Sequence, residues 1–167
     1  DDMIIRRDKY LNELISWKHT DLIKIVTGLR RCGKSFLLLN LFHQHLLESG
    51  TDASRIIEIA LDDIENEELR EPMKMLQYVK QRIKDANQYY LIIDEVQLLG
   101  RFVEVLNSFM RMPNVDVYVT GSNSRFLSKD VATEFRGRGV EIHIYPLSFA
   151  EMYAAVGGDK YALWKQY

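Results

Sequence analysis

The chain of 167 residues contains a single cysteine, Cys32, and only three prolines. One thiol cannot close an intramolecular disulfide, and no Cys/His cluster has zinc-ligand spacing, so neither a disulfide scaffold nor a structural zinc site is expected. That favours a reducing, cytoplasmic setting. No apolar run approaches the roughly 18 residues of a membrane span, so no membrane insertion is expected. The opening stretch, DDMIIRRDKY, lacks a long apolar segment after a basic start and does not read as a secretory signal. An excess of one charge sign is missing too. With 22 basic and 24 acidic residues the net charge is -2, which gives no broad basic face for nucleic acid. Local basic sites such as Arg136-Gly137-Arg138 remain. Neither an internal repeat nor a low-complexity segment is present. What is there, 47% hydrophobic and 28% charged residues, is the composition of one globular domain large enough to need no cross-link.

Four runs rich in Val, Ile and Tyr read as buried strands, at residues 22–27, 56–61, 89–93 and 115–120, and a fifth, 140–145, ends at Pro146. Helical patterns lie between them. Residues 36–47 are apolar nearly all round. Residues 73–86 repeat Leu76, Val79 and Ile83 behind Pro72. Residues 102–112 repeat Phe102, Val105, Leu106 and Phe109 and stop before Pro113. Weaker helical patterns cover 126–135 and 149–156. Strands alternating with helices predict an α/β fold, with a parallel sheet covered on both faces and ligands at the carboxyl ends of the strands. Polar residues sit just beyond four of these strands: the loop from Gly28, then Asp62 and Asp63, then Asp94 and Glu95, then Gly121, Ser122 and Asn123.

The octet after the first strand, Gly28-Leu29-Arg30-Arg31-Cys32-Gly33-Lys34-Ser35, fits the Walker A pattern Gly-x-x-x-x-Gly-Lys-Ser/Thr, with Phe36 opening the helix behind it. Glycines let successive backbone N–H groups turn inward toward phosphate oxygens, and the helix start adds the positive end of its dipole. In this pattern Lys34 bridges the β- and γ-phosphates and the Ser35 hydroxyl ligates Mg²⁺. Arg30 and Arg31 read as a solvated loop tip, and Cys32 as a small spacer rather than a reactive thiol.

The segment YYLIIDEVQ ends an uncharged run in two adjacent carboxylates. Asp94 has the place of a Walker B acid that holds Mg²⁺, and Glu95 the place of a general base for an attacking water. This Asp-Glu pair suits the water-activating class of P-loop ATPases, in which an extra strand separates the two motif strands in space. No Asn-Lys-x-Asp guanine-reading element occurs, so ATP is the expected nucleotide. In VYVTGSNS, Asn123 is the first choice for a γ-phosphate sensor, followed by Thr120 and Ser122. Arg136 and Arg138 are candidates for an arginine supplied to a neighbour's phosphates, which requires a homo-oligomer.

Taken in order, GLRRCGKS, YYLIIDEVQ, VTGSNS, RGRGVEIHIYPLSFAEM and the leading IIRRDKYLNELI resemble the prokaryotic AAA+ superfamily ATPases, of the type with an AAA_14-like core followed by a DUF4143-type C-terminal domain. The resemblance runs from about residue 4 to 153. It implies a P-loop NTPase three-layer sandwich, with a five-stranded, mainly parallel sheet flanked by helices. It also implies an ATP-dependent core over residues 1–156, with 157–167 as the start of a linker or further region, and a larger parent protein. Carried over by motif, Gly28, Gly33, Lys34 and Ser35 hold phosphates and Mg²⁺, and Asp94 and Glu95 form the acidic pair. Ile5, Arg6 and Tyr10 lie where such proteins close over adenine. The partners so implied are ATP or ADP, the attached C-terminal domain and a second copy of the chain. Nucleic acid has no support from this segment, and no membrane partner is expected.

Overall fold

The computed structural model describes the backbone of residues 2–28, 33–122, 135 and 137–145, with side chains from residue 7 onward. Five strands form one sheet: β1 (Ile23–Thr27), β2 (Ile56–Ala60), β3 (Tyr89–Asp94), β4 (Val115–Gly121) and β5 (Gly139–His143). Their spatial order is β2-β3-β4-β1-β5, and every pairing is parallel. A strand buried on both faces has no need of polar alternation, which is why these strands read as continuous apolar runs.

The sheet separates two apolar layers. Odd-numbered side chains of β3 and β4 (Tyr89, Leu91, Ile93, Val115, Val117, Val119), with Ile23 and Ile25 of β1, face α3 (Pro72–Arg82) and α4 (Phe102–Met110). On the other face, Val26, Tyr90, Ile92, Tyr118 and Ile142 meet α1 (Asp2–Ser16) and α2 (residues 34–48). Helix α2 runs through Lys34–Phe36, a π-helical stretch Leu37–Phe42, and His43–Glu48. Its Leu38, Phe42 and Leu46 are completely buried, each contributing about 1.5–3 kcal/mol of apolar burial.

Three differences from the sequence reading have local causes. The N-terminal helix α1 was not expected from periodicity, yet Leu14 is fully buried, and Tyr10, Leu11 and Ile15 pack beside it. Helix α3 ends at Arg82 rather than continuing to residue 86. Ile83 is extended, Asp85 accepts from the Asn87 amide at 3.0 Å, and Asn114 Nδ2 donates to the Asp85 and Asn87 carbonyls at 3.0 and 2.9 Å. These bonds offer the chain an alternative to another helical turn. Strand β5 ends at His143, although the Ile144 amide still donates to the Thr27 carbonyl at 2.8 Å. The helical patterns at 126–135 and 149–156 lie outside the described residues, apart from buried Phe135.

Candidate functional site

Strand β1 ends at Thr27 and the chain turns at Gly28 with φ 152°, a conformation that side-chain-bearing residues avoid. Gly33 caps α2 in the left-handed region, φ 93° and ψ 8°, and its carbonyl accepts from the Leu37 amide at 2.9 Å. Lys34 and Ser35 therefore stand on the first turn of a buried helix, beside the carboxyl end of the sheet. Strand β3 delivers Asp94 as its last residue and Glu95 immediately after it. Strand β4 lies between β1 and β3, as the sequence reading required for the water-activating arrangement.

The side chains close into one network. Lys34 Nζ donates to Glu95 Oε1 at 2.7 Å, and the Ser35 hydroxyl donates to Asp94 at 2.9 Å to Oδ1 and 3.1 Å to Oδ2. Lys34, Asp94 and Glu95 are all buried. The Thr120 hydroxyl, at the end of β4, links the two acids: it donates to Asp94 Oδ1 at 2.5 Å and accepts from the Glu95 amide at 2.8 Å. The second Glu95 oxygen, Oε2, accepts from the Ser122 hydroxyl and from Gln97 Nε2, both at 2.5 Å. Glu95 itself has φ 56° and ψ 52°, left-handed values that few residues other than glycine adopt. Its carboxylate is aimed by a strained backbone held through these side-chain bonds.

The acids differ in their electrostatics. Burial pushes the Asp94 carboxyl above its usual range, against the bonds from Thr120 and Ser35, and the neighbouring Glu95 charge adds to the rise. Burial pushes Glu95 upward as well, but the bonds from Lys34, Ser122 and Gln97 together outweigh it, so Glu95 is held below its ordinary value and stays ionised. A hydroxyl and a buried carboxylate meeting at Ser35 and Asp94 are hard oxygen donors, the donor set that suits Mg²⁺.

The other residues singled out from sequence fall in different places. Asp62 and Asp63 are exposed, and Asp63 accepts from the Glu65 amide at 3.0 Å, capping the short helix Ile64–Arg70. Phe36 is half-buried on α2. The Tyr10 hydroxyl accepts from the Tyr145 amide at 3.5 Å, which brings α1 to the carboxyl end of β5. Arg138 is exposed and precedes β5, and its carbonyl accepts from the Ile23 amide at 2.8 Å. It therefore lies at the amino edge of the sheet, roughly 16 Å, the length of β1, from the Lys34 network. Arg138 is thus no part of this site within one chain. Leu29, Arg30, Arg31, Cys32, Asn123 and Arg136, and the side chains of Ile5 and Arg6, lie outside the described residues. Sequence reasoning missed Gln97 altogether; its place two residues after Glu95 in DEVQ was the available signal.

A family model described as an AAA domain, AAA_14, matches residues 20–153, which includes both sides of the network. The chain belongs to the AAA_14 family. As an AAA domain it is an AAA+ superfamily ATPase core of nucleotide-binding type, and its sheet is that of the P-loop NTPase fold. It is 34% identical over 157 residues to an uncharacterized protein of Haemophilus influenzae, covering 93% of this chain and 39% of that protein. It is 33% identical over 156 residues to the uncharacterized protein MJ1544 of Methanocaldococcus jannaschii, covering 89% of this chain and 32% of that one. The AAA_14 chain thus spans about two fifths or less of these relatives. Among solved structures it is similar in fold to the Aeropyrum pernix ORC1 protein in complex with DNA, with a TM-score of 0.63, 13% identity, and coverage of 90% of this chain and 48% of that chain. It is also similar to C. elegans PCH-2, with a TM-score of 0.58, 18% identity, and coverage of 92% and 44%.

Proposed function

We propose that the Lys34–Ser35/Asp94–Glu95 network binds ATP with Mg²⁺ and hydrolyses it to drive a conformational change in an attached domain or partner. The observation that carries this reading is the meeting of the two motif segments. Lys34 and Ser35 each bond directly to one of the paired acids, across a sheet in which β4 separates β1 from β3. Ser35 and Asp94 are the residues that would hold Mg²⁺, which supplies charge neutralisation at the phosphates when bound. Lys34 leaves Glu95 and donates to phosphate oxygens, aided by the amides of Gly28 to Gly33. Glu95, released from its ammonium partner, is the general base that takes a proton from water, with Thr120 and Ser122 at the acids and Asn123 as a further sensor. Tyr10 at the end of β5, with Ile5 and Arg6, is assigned to the adenine side. Arg136 and Arg138 are assigned to a neighbouring copy in a homo-oligomer.

The coverage of the relatives supports a longer parent protein, in which residues 1–156 form the ATPase core and 157–167 lead toward a DUF4143-type domain. Cytoplasmic placement rests on the lone cysteine. Among the described residues no helix is long and apolar enough to cross a membrane. Phosphate release from ATP, measured for wild type and Glu95→Gln, tests the reading. Turnover in the first and a rate lower by roughly 100-fold or more in the second is expected, and an equal rate in both removes Glu95 as base.

A second reading has its own observation. Lys34 Nζ is bonded to Glu95 Oε1 at 2.7 Å, and a phosphate that takes the lysine must part that buried pair. A chain so latched suits a slow nucleotide-gated switch, whose work is partner binding. Single-turnover hydrolysis with and without a partner separates the two. A DNA-directed motor or loader draws only on the ORC1 likeness, and the net charge of -2 gives it no help. Salt-dependent DNA binding by the full-length parent decides that question.

A further inference from the structure

Gln97 has a bonding pattern that ordinary packing does not explain. It sits in the short helix Val96–Leu98, directly behind the left-handed turn at Glu95. Its Nε2 donates to Glu95 Oε2 at 2.5 Å and makes a longer contact, 3.5 Å, with the Ser122 hydroxyl. Its other end, Oε1, is buried and finds no hydrogen-bond partner among the described residues. The amide cannot be turned round to cure this, because a carbonyl oxygen facing the ionised Glu95 would repel it. Among the described residues an apolar side chain of similar length would fill the same space without burying an unpartnered carbonyl, so packing there does not by itself call for Gln.

We propose that Gln97 is a positioning residue that acts through Glu95, an inference that rests on the ATPase reading above. Glu95 has two carboxylate oxygens with different partners. Oε1 is taken by Lys34, while Oε2 is taken by Gln97 and Ser122. When phosphate draws Lys34 away, Oε1 is the oxygen set free to accept a proton. Oε2 stays clasped, and the carboxylate keeps its aim. Without Gln97 the clasp is reduced to one flexible hydroxyl, on a backbone already in an unfavourable conformation. Ser122 cannot replace it, because the Ser122 hydroxyl has a single proton to donate. Gln97 brings a second donor from the segment that carries Glu95 itself.

The test is Gln97→Met in the whole chain, which keeps length and volume and deletes the amide. ATP affinity by titration calorimetry, the hydrolysis parameters kcat and KM, and the urea unfolding midpoint of nucleotide-free protein are measured together. The expected result is a kcat lower by roughly tenfold or more, the loss of one hydrogen bond to a charge, with KM and ATP affinity within about twofold of wild type. The unfolding midpoint is expected to fall only modestly, since the lost bond to the Glu95 carboxylate is offset in part by removal of a carbonyl that has no partner among the described residues. A kcat equal to wild type overturns the role of Gln97 and leaves the ATPase reading intact. Unchanged kcat with a lowered midpoint assigns Gln97 to structure alone and overturns it likewise. A wild-type chain that binds ATP but releases no phosphate overturns the ATPase reading, and the inference falls with it. Should Gln97→Met not fold, Gln97→Leu carries the same expectations.

Discussion

Two buried lysines, Lys24 and Lys34, each face a buried carboxylate at opposite edges of the same sheet. At the amino edge, Lys24 of β1 bonds to Asp116 of β4, its neighbouring strand. The pair is sealed. The Tyr118 hydroxyl donates to Asp116 Oδ2 at 2.6 Å, the His19 amide donates to the same oxygen at 2.9 Å, and Lys24 Nζ sits 4.6 Å from the centre of the Tyr118 ring. At the carboxyl edge, Lys34 and Glu95 belong to a helix start and a post-strand turn, with hydroxyls and an amide around them. Both pairs are buried, the first more deeply than the second. The first is held by two paired strands, the Tyr118 ring and the backbone of the turn at His19. The second joins two segments that meet only at a loop edge, where a ligand can part them. A buried ion pair costs desolvation in either place and is weak evidence for stability. Its meaning comes from what holds each partner and whether either can leave.

Breaking each pair separates these meanings, and the largest effect is expected at the carboxyl edge. On the proposed reading Lys34→Ala removes donors to two phosphates, and at about 1.5–3 kcal/mol for each charged hydrogen bond, ATP affinity is expected to fall by at least roughly 100-fold. Titration calorimetry checks this, and unchanged affinity would refute the phosphate-loop assignment. Next comes Glu95→Gln, with an expected loss of roughly 100-fold or more in phosphate release while ATP stays bound. At the amino edge, Lys24→Met strands the Asp116 charge and is expected to lower unfolding free energy by about 3–5 kcal/mol, read by urea denaturation, without changing ATP affinity in the folded fraction. Replacing both partners, Lys24→Met with Asp116→Leu, is expected to recover most of that loss. No recovery would show that the amino-edge pair does more than fill space. The smallest effect belongs to Arg138→Ala. Exposed at the amino edge, it is expected to leave a monomer's turnover unchanged and to slow only an assembled oligomer, with mass and rate measured on the same sample.

The two edges also differed in how plainly the sequence spoke of them. The Lys34 site was legible because glycines, Lys34-Ser35 and Asp94-Glu95 interrupt apolar runs at strand ends, where the chain has no packing reason to place them. The amino-edge pair was not legible. Lys24 and Asp116 are 92 residues apart, each inside an apolar strand, and only the β1–β4 register shows that they meet. Thr120 was named as a sensor candidate after Asn123, yet its contact with both acids depends on β4 lying between β1 and β3. Helix α1 escaped because the charged run Arg6-Arg7-Asp8-Lys9 separates Met3, Ile4 and Ile5 from Tyr10, Leu11, Leu14 and Ile15 and interrupts the apolar period. The end of α3 escaped because Asp85, Asn87 and Asn114 settle it by side-chain bonds that no helical period announces.

The most direct measurement is a crystal structure of the chain grown with Mg²⁺ and a non-hydrolysable ATP analogue. The expected result is Lys34 Nζ moved from Glu95 onto a phosphate oxygen, with Ser35 and Asp94 gathered about the metal and Glu95 still held by Ser122 and Gln97. Nucleotide bound elsewhere, with the 2.7 Å Lys34–Glu95 contact intact, would contradict it.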